Sequence, residues 1–430
     1  MKRSLGSIAA FLAVLVTLPA TTSKLVALER GMFGWRGGEV SGNRPLLVIW
    51  VREQDDVPPS ELNKYRQYYQ DVIFGHSAGR EPPSVARNRF ELSIPGYWRE
   101  VSGEKFAWTR AGLIGPLTAP IKGKTVGEIA ALALQAAARE GFAFRAFDVN
   151  RDGRIAPEEL AVLVIANVTA IGRRWDDLSA VNRNVAIPDQ GVAFAGRIAV
   201  VGENDGFATV NRELFHLVVP EAANLDGWPQ KCFALNGGRS LMAAVNTANP
   251  ALTMHLDPWH KMLAGWIEPR VYAVGKANSA TLAAQHVSSQ SDTESKRPIL
   301  LFDPMRGPSE FFLLEYRTRS ALGFDQAPMN SGLVVWQVAL NAANRPFNVL
   351  ADRKNCKGET MSVPSLFVRG APNWQLGGNV AYWGGDGPFS LRWMDGTDSG
   401  VRVTVERHDA VDWRIEVTWL PASAAAPGKN

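Results

Sequence analysis

Asn211-Arg212-Glu213-Leu214-Phe215-His216 governs how the rest of this 430-residue chain is read, and Leu241-Met242-Ala243 follows it about twenty-five residues later. Two histidines one helical turn apart present both rings to a single zinc ion, and a glutamate beside the first activates the water that the ion holds. Glu213 and His216 fill two of those three places. Position 212 is an arginine, whose guanidinium stays charged at any working pH and has no lone pair for a cation. A Glu-x-x-His pair alone is also what a hydrogen-bonded helix face looks like, so the flanking sequence has to decide.

Downstream run Ser240-Leu241-Met242-Ala243, His255-Leu256-Asp257-Pro258-Trp259-His260-Lys261 and Gly265-Trp266-Ile267-Glu268-Pro269. Upstream, Tyr97-Trp98-Arg99-Glu100-Val101-Ser102-Gly103 reads as a helix ending in a Ser-Gly turn. Together these resemble secreted zinc metalloproteases of the immune inhibitor A family, over roughly residues 45 to 420 and in the family's order. The resemblance implies an α+β chain: a zincin-like metalloprotease domain over 45–275, then a β-rich C-terminal domain over 276–420.

Carried over by position, Arg212 stands at the first zinc histidine, Glu213 at the general base, His216 at the second histidine and Met242 at the methionine turn beneath the metal. The segment Leu217-Val218-Val219-Pro220-Glu221 lacks the family's glycine, and one missing residue would put Glu221 at the third ligand. One histidine and a displaced glutamate beside a fixed positive charge make a poor zinc site, because zinc needs three or four protein ligands. Without metal, Glu213 has no acidified water to use, and pairing with Arg212 is the expected fate of its carboxylate.

The fullest motif match is Asp148-Val149-Asn150-Arg151-Asp152-Gly153-Arg154-Ile155-Ala156-Pro157-Glu158-Glu159, which fits an EF-hand-type calcium loop at 148–159. Oxygens fall at positions 1, 3 and 5, glycine at 6, an apolar residue at 8 and glutamate at 12. Asp148, Asn150 and Asp152 would give side-chain oxygens, Arg154 its carbonyl and Glu159 two oxygens, with a water where Ala156 offers none. An acidic turn of similar composition is the competing reading. No second loop is present to pair with it, so the expected role is stabilising the fold rather than sensing calcium. The resembled family likewise carries one such loop ahead of a core strand.

Several elements can be placed from pattern alone. Pro45–Val51 is a continuous apolar run that reads as a buried strand, as do Leu160–Val168 and Ile198–Val201. Thr125-Val126-Gly127-Glu128 has the spacing of a capping box, and Gly141 supplies a stop for the helix between. Beyond Arg270 a Ser/Thr/Asn-rich stretch at 277–296 precedes short strand-like runs, among them Pro298–Leu301, Phe311–Arg317 and Gly332–Val338. Gln337 stands where the resembled family commonly has a histidine.

The N-terminus carries Lys2-Arg3, an apolar run from Ile8 to Leu18 and small residues at 20–23, which reads as a signal peptide over 1–22. That run is short for a bilayer span, so a secretory signal is the expected reading and a retained, uncleaved anchor the alternative; no transmembrane segment is expected beyond it, and the expected location is secreted or periplasmic. Forty-six basic residues against 42 acidic give +4, and no basic block points to nucleic acid. Cys232 and Cys356 are either a disulfide or two separate thiols. Residues 421–430 read as a disordered tail. Six histidines, at 76, 216, 255, 260, 286 and 408, form no motif with a serine or cysteine nucleophile.

Three functions stay open at this point. The first is a secreted calcium-binding protein with a metalloprotease-like fold, peptidase-inactive, that binds a peptide or protein. The second is an active endopeptidase with an altered metal set drawing on His255, Asp257 or His260. The third is a carbohydrate- or surface-binding protein working through Trp374, Trp383, Trp393, Trp413 and Trp419 of the β-rich half, although core packing is the commoner role of such tryptophans. Calcium is the expected ion, zinc an unfavourable one, and oligomeric state is left open.

Overall fold

A computed structural model describes residues 33, 39–53, 73–74, 93–167, 180–203, 205, 207–220, 222, 240–242, 254–284, 293–318, 325, 332–341, 348–354, 360–364, 366–368, 388–407 and 414–421. The signal-peptide reading, Glu221, both cysteines, Trp374, Trp383, Trp413 and all of the tail beyond 421 lie outside these residues. Helices and sheets both contribute, so the class is α+β.

The first sheet contains β1 (Gly42–Arg52), β2 (Phe106–Thr118), β3 (Arg154–Ile155), β4 (Ala161–Ala166), β5 (Val181–Ile187) and β6 (Val192–Gly202). Its order is β2-β1-β4-β6-β3, with β5 along the other side of β6. All pairings are parallel except β5 with β6. Parallel neighbours need crossovers, and these supply α1 (Ile94–Ser102) and α2 (Val126–Arg139).

Burial on both faces explains the unbroken apolar runs of β1 and β4. Leu46, Val48, Trp50, Leu163 and Ile165 face one core, while Leu47, Ile49, Val51, Val162 and Val164 face a second, lined by α2. At about 1.5–3 kcal/mol for each fully buried aliphatic side chain, these two strands dominate the stability of this layer.

The helix ends follow local chemistry. Ser93 Oγ accepts from Gly96 N–H at 3.1 Å to start α1, and Gly103 ends it at φ 65°. The capping box on α2 is complete: Thr125 Oγ1 accepts from Glu128 N–H at 3.2 Å, and Glu128 Oε2 accepts from Thr125 N–H at 2.7 Å.

After β6 come α3 (Phe207–Val218) and the short α4 (Pro258–Leu263). The chain then enters β7 (Arg270–Ala273), β8 (Asn278–Ala283), the one-turn α5 (Thr293–Lys296), β9 (Ile299–Phe302), β10 (Glu310–Arg317) and β11 (Gly332–Ala339). Last are β12 (Asn348–Lys354), β13 (Thr360–Pro364), β14 (Leu366–Val368), β15 (Phe389–Arg392), β16 (Asp398–Arg407) and β17 (Arg414–Pro421). One sheet runs β14-β11-β10-β9-β7, another β15-β16-β17-β8, and β12 pairs with β13.

The middle sheet is shared between two cores. Phe311 and Leu313 of β10 point into the core that holds Trp50 and α3, whereas Phe312 and Leu314 point to the outer sheet and meet Leu391, Val403 and Trp419. Strand alternation thus stacks the three sheets.

Candidate functional site

Helix α3 buries Ala208, Asn211, Leu214, Phe215, Leu217 and Val218, a three-and-four spacing that turns one face inward. Phe215 stacks on Trp98 of α1 with ring centroids 6.1 Å apart, and Trp98 Nε1 donates to Asn211 Oδ1 at 2.6 Å. Glu213 and His216 are buried as well, so the helix is packed on more than its apolar stripe.

Glu213 is 2% exposed, and its carboxylate is engaged on both oxygens. Oε1 accepts from Arg212 Nε at 3.2 Å, and Oε2 accepts from the backbone N–H of Ala180 at 2.9 Å. The pairing anticipated from adjacency therefore forms. His216 is buried on the same helix, and its carbonyl receives Arg197 Nη1 at 3.5 Å. Arg212 contributes charge and no lone pair.

Met242 is fully buried against the same core, with its N–H on Ser240 Oγ at 3.1 Å. Ser240 Oγ also donates to Asp257 Oδ2 at 2.5 Å, and that oxygen takes His260 Nδ1 at 2.6 Å. Asp257 caps α4 through Oδ1, which accepts His260 N–H at 3.0 Å. Burial pushes the Asp257 carboxyl up, but the His260 charge and the hydrogen bonds from His260 and Ser240 outweigh it and hold the group below the usual carboxylate range.

His255 is turned elsewhere. Its Nε2 meets Glu100 Oε1 at 2.8 Å and its Nδ1 meets Lys261 Nζ at 3.2 Å. The alternative metal set of His255, Asp257 and His260 is therefore divided between two hydrogen-bond systems. Among the described residues, no three His, Cys, Asp or Glu side chains gather as a metal-ligating group.

In the calcium-type loop the named side chains converge on the loop's own amides. Asp148 accepts from Asp152 N–H at 3.0 Å and Gly153 N–H at 3.1 Å; Asn150 Oδ1 accepts from Asp152 N–H at 2.9 Å; Asp152 Oδ1 accepts from Arg154 N–H at 2.7 Å. Glu159 reaches across the loop to Val149 N–H at 3.0 Å with one oxygen and to Ala156 N–H at 3.0 Å with the other. Gly153 turns the chain at φ 79°. The same Glu159 oxygen also takes Asn150 N–H at 3.3 Å, and Asp152 Oδ2 takes Asn150 Nδ2 at 3.2 Å. The donors are hard oxygens of the kind calcium takes, and among the described residues they turn to the loop's own amides rather than gathering as a metal-ligating group. The loop is moored to the first sheet: Ala193 N–H donates to Gly153 O at 2.9 Å, and β3 pairs with β6.

A buried charge network between α1, α4 and β10 has no counterpart in the motif reading. Arg317 grips Asp325 through Nε at 3.1 Å and Nη2 at 2.9 Å, and Nη2 also donates to His255 O at 3.2 Å. Trp336 Nε1 donates to Glu315 Oε1 at 2.7 Å. Burial drives the Lys261 ammonium down to about 8, and it pushes Glu315 above its usual range. The signal was present in β10, where Glu315 and Arg317 interrupt an apolar run: charges in a buried strand require partners.

Gln337 is fully buried and donates to Glu310 Oε1 at 2.8 Å and Arg392 O at 3.1 Å, bridging the middle and outer sheets. Trp393 and Trp419 are buried too, in the core between those sheets, so neither offers a ring face to solvent. No protein-family model matches the chain, and no curated protein matches it.

Proposed function

We propose that this is an exported, calcium-stabilised protein with a zincin-like, immune inhibitor A-related fold, that its peptidase chemistry is lost, and that it acts by binding a peptide or protein. The observation that carries this is Glu213: one oxygen is neutralised by Arg212 and the other is taken by Ala180 N–H. A general base must face a metal-bound water, and this carboxylate faces its own chain.

The residues present do not fit zinc. Arg212 has no lone pair at the position of a ligand, and among the described residues His216 is the one ligand-type side chain of the expected set. They do fit calcium, which Asp148, Asn150, Asp152, Arg154 and Glu159 would hold. When bound it would fix the turn that leads into β3, the strand that pairs with β6.

Elemental analysis of the mature protein, purified without chelator or histidine tag, tests the reading. One calcium and no zinc per chain is the expected result; one zinc per chain overturns it. Arg212→His should raise zinc affinity, and unchanged affinity would place the fault in the other ligands.

A further inference from the structure

Ala180 lies where the chain enters β5, and Val181 is the first residue paired with β6, opposite Ile198. The side chain of Ala180 packs against the core that holds α3, while Val181 packs against the core under α2. Consecutive side chains thus face opposite sides of the sheet as the chain enters the strand. Glu213 meets it there, and a carboxylate accepting a backbone N–H in a nearly dry setting forms a charge-assisted bond, stronger than a neutral one. The far end of the same hairpin is also held: Gln190 Oε1 accepts from Arg145 N–H at 3.1 Å, and its Nε2 donates to Phe142 O at 2.7 Å. Among the described residues β5 pairs with β6 alone, so its outer edge is unpaired.

From this geometry we infer that Glu213 is a strand clamp: it fastens the start of edge strand β5 to α3. This deepens the function proposed above by assigning a new task to the carboxylate at the general-base position. Arg212 braces the clamp by fixing the second oxygen, so it is a positioning residue.

Amide hydrogen exchange on the full chain, resolved at Ala180 and over β5, tests the clamp against Glu213→Ala and Glu213→Gln. Loss of a charge-assisted bond should speed exchange at Ala180 by at least about tenfold in Glu213→Ala, with Val200 at the sheet centre unchanged. Glu213→Gln keeps a neutral acceptor and should fall between. Unchanged exchange at Ala180 in a folded Glu213→Ala protein overturns the inference. If that variant does not fold, Glu213→Gln decides: at least about threefold faster exchange confined to Ala180 and β5 supports the clamp, and exchange equal to the parent overturns it. The readout is independent of zinc. A zinc-loaded protein with a protected Ala180 would refute the proposed loss of peptidase chemistry and leave the clamp standing; a zinc-free protein with an unprotected Ala180 would do the reverse.

Discussion

Lys261 Nζ sits 3.2 Å from His255 Nδ1, and the opposite ring nitrogen of that histidine meets Glu100 Oε1 at 2.8 Å. The order is consistent only if the ammonium donates to a bare Nδ1 and Nε2–H donates to the carboxylate, which makes the ring neutral. Burial first, and the Lys261 charge second, depress the His255 pKa accordingly.

This relationship sets a pH dependence. Lys261 titrates at about 8 when folded against 10.5 when free, so between those values the unfolded chain binds more protons and stability rises with pH. The neutral His255 contributes in the same direction at lower pH, where stability falls as the unfolded ring protonates below about 6.5. Urea unfolding at a series of pH values should show the rise above pH 8 in the parent chain and a flatter profile in Lys261→Met.

Arg317 is the cation on which the network's carboxylates depend. Arg317→Met leaves Asp325 and Glu315 buried without their nearest opposite charge and should cost about 3–5 kcal/mol in chemical denaturation. Arg317→Met combined with Asp325→Leu should recover part of that loss, since an apolar pair does not strand a charge. Simple addition of the two effects would show that the pair is uncoupled.

Calcium removal should lower the melting temperature and loosen the turn that moors β3. Saturation at a hundred times the dissociation constant would add about 2.7 kcal/mol. Gly196→Ala provides a control outside the ligand set, because a Cβ there would stand 2.4 Å from Pro157 Cγ in the loop's exit. Calorimetric titration should show weaker calcium binding in Gly196→Ala, and binding equal to the parent would mean that the loop can move off β6 freely.

The capping box on α2 can be measured separately from any site. Thr125→Ala removes the acceptor for Glu128 N–H and should cost about 1 kcal/mol in urea unfolding.

Periodicity and capping were legible wherever one layer's chemistry was enough. The unbroken apolar runs of β1 and β4, the Thr125–Glu128 box and the Gly103 and Gly141 stops all lie within elements whose local pattern specifies them. The tight turn over 148–159, pivoting on Gly153, was readable because its residues are contiguous. The engagement of Glu213 by Ala180 was not, since its partner lies 33 residues away and an alanine carries no chemical signature. The Glu100–His255 and Arg317–Asp325 pairs were hidden for the same reason: sequence shows that a buried charge needs a partner without showing which. His255, Asp257 and His260 looked like a possible ligand set because they are close in sequence, yet Asp257 and His260 bond to each other across the cap of α4 while His255 turns to Glu100 and Lys261.

The two-faced middle sheet has a consequence for how the gene can be cut. A fragment ending at residue 275 would bare the side chains that pack on Phe311 and Leu313, and a fragment beginning at 276 would bare the Phe311 ring and the Leu313 side chain to water. Neither piece keeps a complete interior, so expression of the halves should give aggregates where the whole chain gives soluble protein. The change from helix-bearing to strand-rich sequence near Arg270 coincides with a core that residues on both sides of it share.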